Sequence, residues 1–205
     1  MTGAVRRRDL VLGAAGTLAA PALRAQTQAA PDDADAVPDD SEFIPTLGTP
    51  AIPVPRAERY LWAINNANEE VAIAYRSGEA ENPEAMGRLR TLFRDIRENT
   101  PGPLPPLLVD MLSLLQERYG YSRPLRVISG YRTLRTNLGL EHAAPNSFHL
   151  HGYAADFYIP NVPVLDVAVA ALALSLRFGF MGVGFYRQFV HVDVGPQRSW
   201  TNFSA

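Results

Sequence analysis

The chain has 205 residues, 47% hydrophobic and 20% charged, enough for one globular domain of ordinary core size, and its net charge of −2 gives no electrostatic case for a nucleic-acid partner. It holds no cysteine, which excludes disulfides, thiolate zinc sites, iron–sulfur clusters and thiol nucleophiles, so a bound metal has to be held by His, Asp or Glu. All 19 basic residues are arginine, which removes lysine Schiff bases and a P-loop lysine as well.

Residues 1–25 read as an export signal to be set aside from the fold. Arg6, Arg7 and Arg8 precede Asp9 and a moderately apolar run from Leu10 to Ala20, and a Pro21-to-Ala25 tail follows. The run is about half as long as a bilayer span and rich in Gly and Ala, which fits a twin-arginine signal and periplasmic delivery better than stable membrane insertion. Four arginines against Asp9 give this segment +3 and leave the remainder at −5. Residues 26–55 carry six prolines and six acids with no basic residue, the composition of a disordered acidic linker. The folded domain is then 56–205.

Within it, Tyr60–Ile64 and Val71–Tyr75 are β-rich runs separated by Asn65-Asn-Ala-Asn-Glu69, which predicts a hairpin. Asn82-Pro83-Glu84 starts a helix over 84–98, with Met86, Leu89, Leu92, Phe93 and Ile96 on one face. Pro105-Pro106 opens a second, Leu107–Arg118, closed by Gly120. Arg126–Ile128 reads as a strand, 132–143 as a helix or ordered loop, and Ala154–Ile159 as another strand. Pro163–Phe178 is apolar nearly all round and predicts a buried helix ending at Gly179; Val183–Tyr186 and Phe189–Val194 then make a terminal hairpin. Strands and helices are segregated, so the class is α+β with a mostly antiparallel sheet and flanking helices.

Three of the four histidines fall in two short stretches, Ser147-Phe-His-Leu-His-Gly-Tyr-Ala-Ala-Asp156 and Phe189-Val-His-Val-Asp193. A catalytic zinc takes three protein ligands and leaves one position open. His149 and Asp156 supply two if Gly152 lets the chain double back between them, and His191 supplies the third. Asp193 shares a strand face with His191, which makes it either a proton acceptor in the site or the group that orients an imidazole. His151 is the alternative for the base, or for a ligand.

These stretches, with Leu92-Phe-Arg-Asp-Ile-Arg97, Ser129-Gly-Tyr-Arg132, Asn137, Leu140, Val183-Gly-Phe-Tyr186 and the closing run to Trp200, resemble the zinc peptidases that include the D-Ala-D-Ala carboxypeptidases. Within that family the likeness is to the murein endopeptidase K group, over about Arg59 to Trp200. The resemblance implies the fold shared with lysostaphin-type enzymes and the hedgehog domain, a Zn2+ held by His149, Asp156 and His191, and hydrolysis of peptide bonds in peptidoglycan stems or cross-links, as a murein endopeptidase or DD-carboxypeptidase. It also implies Arg132 as oxyanion donor or substrate clamp, and Ser147 in substrate binding or in support of a ligand. Where distant relatives carry a Glu or His base two or three positions before the third ligand, this chain has Phe189 and Gln188. That departure keeps open a non-catalytic, metal-containing module that binds the cell wall.

Overall fold

The computed structural model describes residues 58–141 and 143–203. The segments read as an export signal and a linker, 1–25 and 26–55, lie outside the described residues, as does His142. One eight-stranded sheet runs in the order β3-β2-β1-β4-β5-β7-β6-β8. Its strands are β1 (Glu58–Asn65), β2 (Glu70–Ser77), β3 (Ala80–Glu81), β4 (Leu125–Ser129), β5 (Ala154–Tyr158), β6 (Phe180–Tyr186), β7 (Val190–Pro196) and β8 (Arg198–Asn202). The helices are α1 (Pro83–Leu92), α2 (Pro106–Arg118), α3 (Leu134–Leu138) and α4 (Val164–Phe178).

The fold is α+β. The sheet is mixed, because β1 runs parallel to β4 and β6 parallel to β8 while the other neighbours are antiparallel. The hairpin forms where the turn chemistry put it: Asn65 Oδ1 accepts the N–H groups of Ala67 and Glu69 at 2.9 and 3.1 Å. On β1, alternation sends Leu61 and Ala63 to full burial under α2, whose Gln116 side chain bonds the Trp62 N–H and carbonyl at 2.9 and 2.7 Å. Leu108, Leu112 and Leu115 of α2 join that core, where truncating one to Ala costs about 2–5 kcal/mol.

Two helix expectations are corrected. The helix predicted over 84–98 stops at Leu92, although its Asn82 cap is as read. Asp95 diverts the chain: its Oδ1 accepts from the Arg97 and Glu98 N–H groups at 2.9 and 3.2 Å, and Asp95 bridges Thr100. Asn99 has φ 48, a left-handed conformation that a helix interior does not admit. The second correction concerns α4. It buries Val167, Ala168, Ala170, Ala171 and Ser175 but leaves Leu165, Val169 and Leu176 more than half exposed, so it covers one side of the sheet rather than filling the interior. Strand β8 has no counterpart in the sequence reading.

Candidate metal centre

Strand pairing aligns one row of residues across five strands. Ser129 of β4 faces Asp156 of β5, Asp156 faces His191 of β7, His191 faces Gly184 of β6, and Gly184 faces Trp200 of β8. Paired residues on neighbouring strands project from the same face, so register alone sets Asp156 beside His191. One level along, Ala154, Asp193, Gly182 and Arg198 make a second row. His149 arrives from a 3-10 turn, Phe148–His151, capped by Ser147, whose Oγ accepts the His149 N–H at 3.3 Å. Gly152 ends the turn at φ 69 and sends the chain back into β5, the reversal expected from the sequence.

Each imidazole has one nitrogen committed to an acceptor. His149 Nδ1–H donates to the Gly130 carbonyl at 2.7 Å, and His191 Nε2–H to Asp193 Oδ2 at 3.2 Å. The lone pairs of His149 Nε2 and His191 Nδ1 are thereby turned inward, 3.3 Å apart. Asp156 Oδ1 completes the triangle, 2.8 Å from His191 Nδ1 and 3.3 Å from His149 Nε2. Atoms bound to zinc at about 2.0–2.1 Å and tetrahedral angles lie about 3.3 Å apart, so three buried acceptors are spaced as three corners of such a site. The donor set and its spacing therefore fit a divalent metal.

Burial pushes the Asp156 carboxyl up, but the neighbouring His149 and the Arg132 guanidinium hold it well below the usual carboxylate range. Arg132 Nη2 donates to Asp156 Oδ2 at 2.5 Å, its Nε to Ser129 Oγ at 2.8 Å, and its backbone N–H to the His149 carbonyl at 3.0 Å. Asp193 is 0% exposed. Its Oδ1 accepts from Gly195 N–H and Arg198 Nη1 at 2.7 and 3.0 Å, and its Oδ2 from Arg198 Nη2 at 2.8 Å. Burial raises this carboxyl too, and His191 and Arg198 bring it below its ordinary value.

The structure thus gathers His149, Asp156, His191, Arg132 and Asp193, with Ser147 holding the turn beneath His149. His151 is not brought in; it is exposed, its ring 5.8 Å from that of Tyr153. Asn137 is buried with Nδ2 on the Ala144 carbonyl at 2.8 Å. Phe189 stacks on Tyr186 at 4.4 Å and lines a cleft of about 430 Å3 that opens beside Asp156 and Arg132.

Arg198 and Trp200 had no role in the sequence reading. The Trp200 ring lies 5.3 Å from that of His191, and the Arg198 guanidinium sits 4.9 Å over Phe148 and 5.1 Å over Trp200. Both reach across β6, which is why β6 carries glycine at 182 and 184: a Cβ on Gly184 would stand 2.7 Å from the Trp200 indole, and one on Gly182 would meet Asp193 and Arg198. Glycine at every second position of a strand is the signal that a neighbouring side chain crosses that face.

Comparison with known proteins gives the family. Residues 55–200 match the family described as peptidoglycan L,D-endopeptidase MepK. The chain belongs to that family. The peptidoglycan L,D-endopeptidase MepK of Escherichia coli (strain K12) is 35% identical over 164 residues, covering 76% of this chain and 86% of the relative. The probable peptidoglycan L,D-endopeptidase MepK of Haemophilus influenzae is 34% identical over 142 residues, covering 66% and 74%. No solved structure gives a significant match.

Proposed function

We propose that this chain is an exported, zinc-dependent peptidase that cleaves peptide bonds in peptidoglycan cross-links; its relatives are named peptidoglycan L,D-endopeptidases. The observation that carries the reading is the convergence of His149 Nε2, Asp156 Oδ1 and His191 Nδ1, three buried acceptors within 4.8 Å of one another. His149, Asp156 and His191 would hold the metal, and the metal when bound supplies a Lewis acid that polarises the scissile carbonyl and activates water.

The chain's own residues supply position and charge. The Gly130 carbonyl and Asp193 fix which nitrogen each imidazole presents. Arg198 keeps Asp193 anionic and stationary. Arg132 holds Asp156 Oδ2 through Nη2 and lines the cleft, where the donors not spent on Ser129 and Asp156 can meet a carbonyl oxygen as it gains charge. With both oxygens of Asp193 occupied by donors, its task is to orient His191 rather than to take up a proton.

Residues 1–25 would direct export by the twin-arginine route to the periplasm. Among the described residues no helix is long and apolar enough to cross a membrane. The deciding experiment digests purified peptidoglycan with the protein, with and without a chelator and with zinc restored, and identifies the products by mass. Release of cross-link fragments that stops with the chelator and returns with zinc supports the reading. Loss of a terminal D-Ala alone would replace it with a DD-carboxypeptidase, and binding to peptidoglycan without release would make this a binding module.

A further inference from the structure

We propose that the cleft beside Arg132 is a subsite for a free carboxylate of the substrate peptide, and that Arg97 is the cation that reads it. This rests on the peptidase reading and names the chemistry of its substrate. Three arginines other than ligand-supporting Arg198 bear on the argument, and all line the cleft: Arg94, Arg97 and Arg132. Two are already committed. Arg94 grips Glu69 with Nη1 and Nη2 at 2.5 and 2.8 Å and also donates to Asn99 and the Thr91 carbonyl. Arg132 has turned Nε to Ser129 and Nη2 to Asp156, and its charge stands against that carboxylate.

The Arg97 side chain is exposed and meets no acceptor among the described residues, its one hydrogen bond being the backbone N–H on Asp95. A guanidinium with both edges free, on the wall of a cleft that ends at Asp156, is built for bidentate capture of a carboxylate.

One buried carboxylate links the Arg97 backbone to the segment that carries Arg132. Asp95 Oδ1 accepts the Arg97 N–H, while its Oδ2 accepts the N–H and Oγ1–H of Thr133 at 2.9 and 2.9 Å, next in sequence to Arg132. Asp95 therefore ties the segment that carries Arg97 to the segment that carries Arg132. That tie keeps the two backbone segments together on the wall of one cleft, and in the proposed arrangement the scissile amide lies at Arg132 and a neighbouring carboxylate at Arg97. Peptidoglycan cross-links joined through diaminopimelate carry such carboxylates; an amidated cross-link carries none at that place.

The test uses the zinc-loaded full chain and two probes, a diaminopimelate cross-linked stem-peptide dimer and the same dimer with the diaminopimelate carboxylates amidated. The wild-type protein is expected to cleave the acid form with kcat/KM about tenfold above the amide, the difference lying in KM. Arg97→Ala should erase that preference, losing about tenfold on the acid form and nothing on the amide, with zinc content unchanged; Arg97→Lys should restore part of it. Equal losses on both probes, or no loss on either, would overturn the role of Arg97 while leaving the peptidase reading intact. If the wild-type protein cleaves neither probe, the peptidase reading fails. Calorimetric binding of the two dimers to wild type and Arg97→Ala then decides the subsite by itself: equal affinities would sink it.

Discussion

Two aspartates are buried on opposite halves of the sheet, and their carboxyls move in opposite directions. Asp110, on α2 beneath β2, accepts the Tyr75 hydroxyl at 2.7 Å and pairs with Arg76 at 3.2 Å; burial outweighs that hydrogen bond and the charges of Arg76 and Arg59, and the carboxyl is raised. Asp156 is just as inaccessible, yet it is held well below the usual range by His149, Arg132 and His191. The dehydration cost is shared by both, so the number and closeness of donors decides. In the hairpin half, the buried acid has Tyr75 and Arg76 as partners beside a core of leucine and alanine. In the half that carries the histidines, the Arg132 guanidinium and two imidazoles surround the acid and it stays an anion, the form in which a carboxylate would hold a metal.

The comparison breaks most sharply at the three convergent residues. His149→Ala, Asp156→Ala and His191→Ala are each expected to remove bound zinc and all detectable cleavage, read by elemental analysis and by the peptidoglycan digest. A variant that keeps full zinc and activity takes that residue out of the centre. Arg132→Ala comes next. Because Arg132 holds Asp156 Oδ2 at 2.5 Å, the variant should lose metal affinity by about ten- to a hundredfold and kcat by on the order of a hundredfold. Competition with a chromophoric chelator separates the two effects. A rise in KM alone, at unchanged metal affinity, would make Arg132 a substrate contact only.

Much of this was legible before any coordinates. The hairpin could be read because Asn65 and its neighbours are turn residues between two apolar runs, and the metal group because His149, Asp156 and His191 recur with Gly152 at the reversal. What escaped the sequence had a physical reason in each case. Helix α1 stops early on the side-chain bonds of Asp95, which a periodicity of Met86, Leu89, Leu92, Phe93 and Ile96 does not register. Strand β8 shows no apolar alternation, since Arg198 and Trp200 are held by Asp193 and by rings rather than by a core. The work of Asp193 depended on register with Gly182 and Arg198, which only strand pairing reveals.

Asp193 offers a finer test of the same contrast. Asp193→Asn keeps the shape but removes the charge between His191 and Arg198, and is expected to weaken zinc about tenfold with a similar fall in kcat. Gly184→Ala should act on the same imidazole from the other side, since its methyl group must displace Trp200. An effect on kcat of about a thousandfold or more at unchanged metal affinity would instead identify Asp193 as the proton acceptor.

The smallest effect is expected at Asp110, and its sign is set by the direction of its shift. Its carboxyl is raised in the folded protein, so the unfolded chain ionises first, at a pKa of about 3.9. The stability associated with the protonated form is complete below that value and is lost as pH rises through the folded pKa. Asp110→Asn cannot ionise, and its amide oxygen can still accept the Tyr75 hydroxyl. Thermal unfolding between about pH 4 and pH 7 should therefore show the variant gaining on the wild type as pH rises, with zinc content and cleavage unchanged. If the variant instead fell further behind with rising pH, Asp110 would be an ionic anchor of the same kind as Asp156, and the contrast between the two halves of the sheet would collapse.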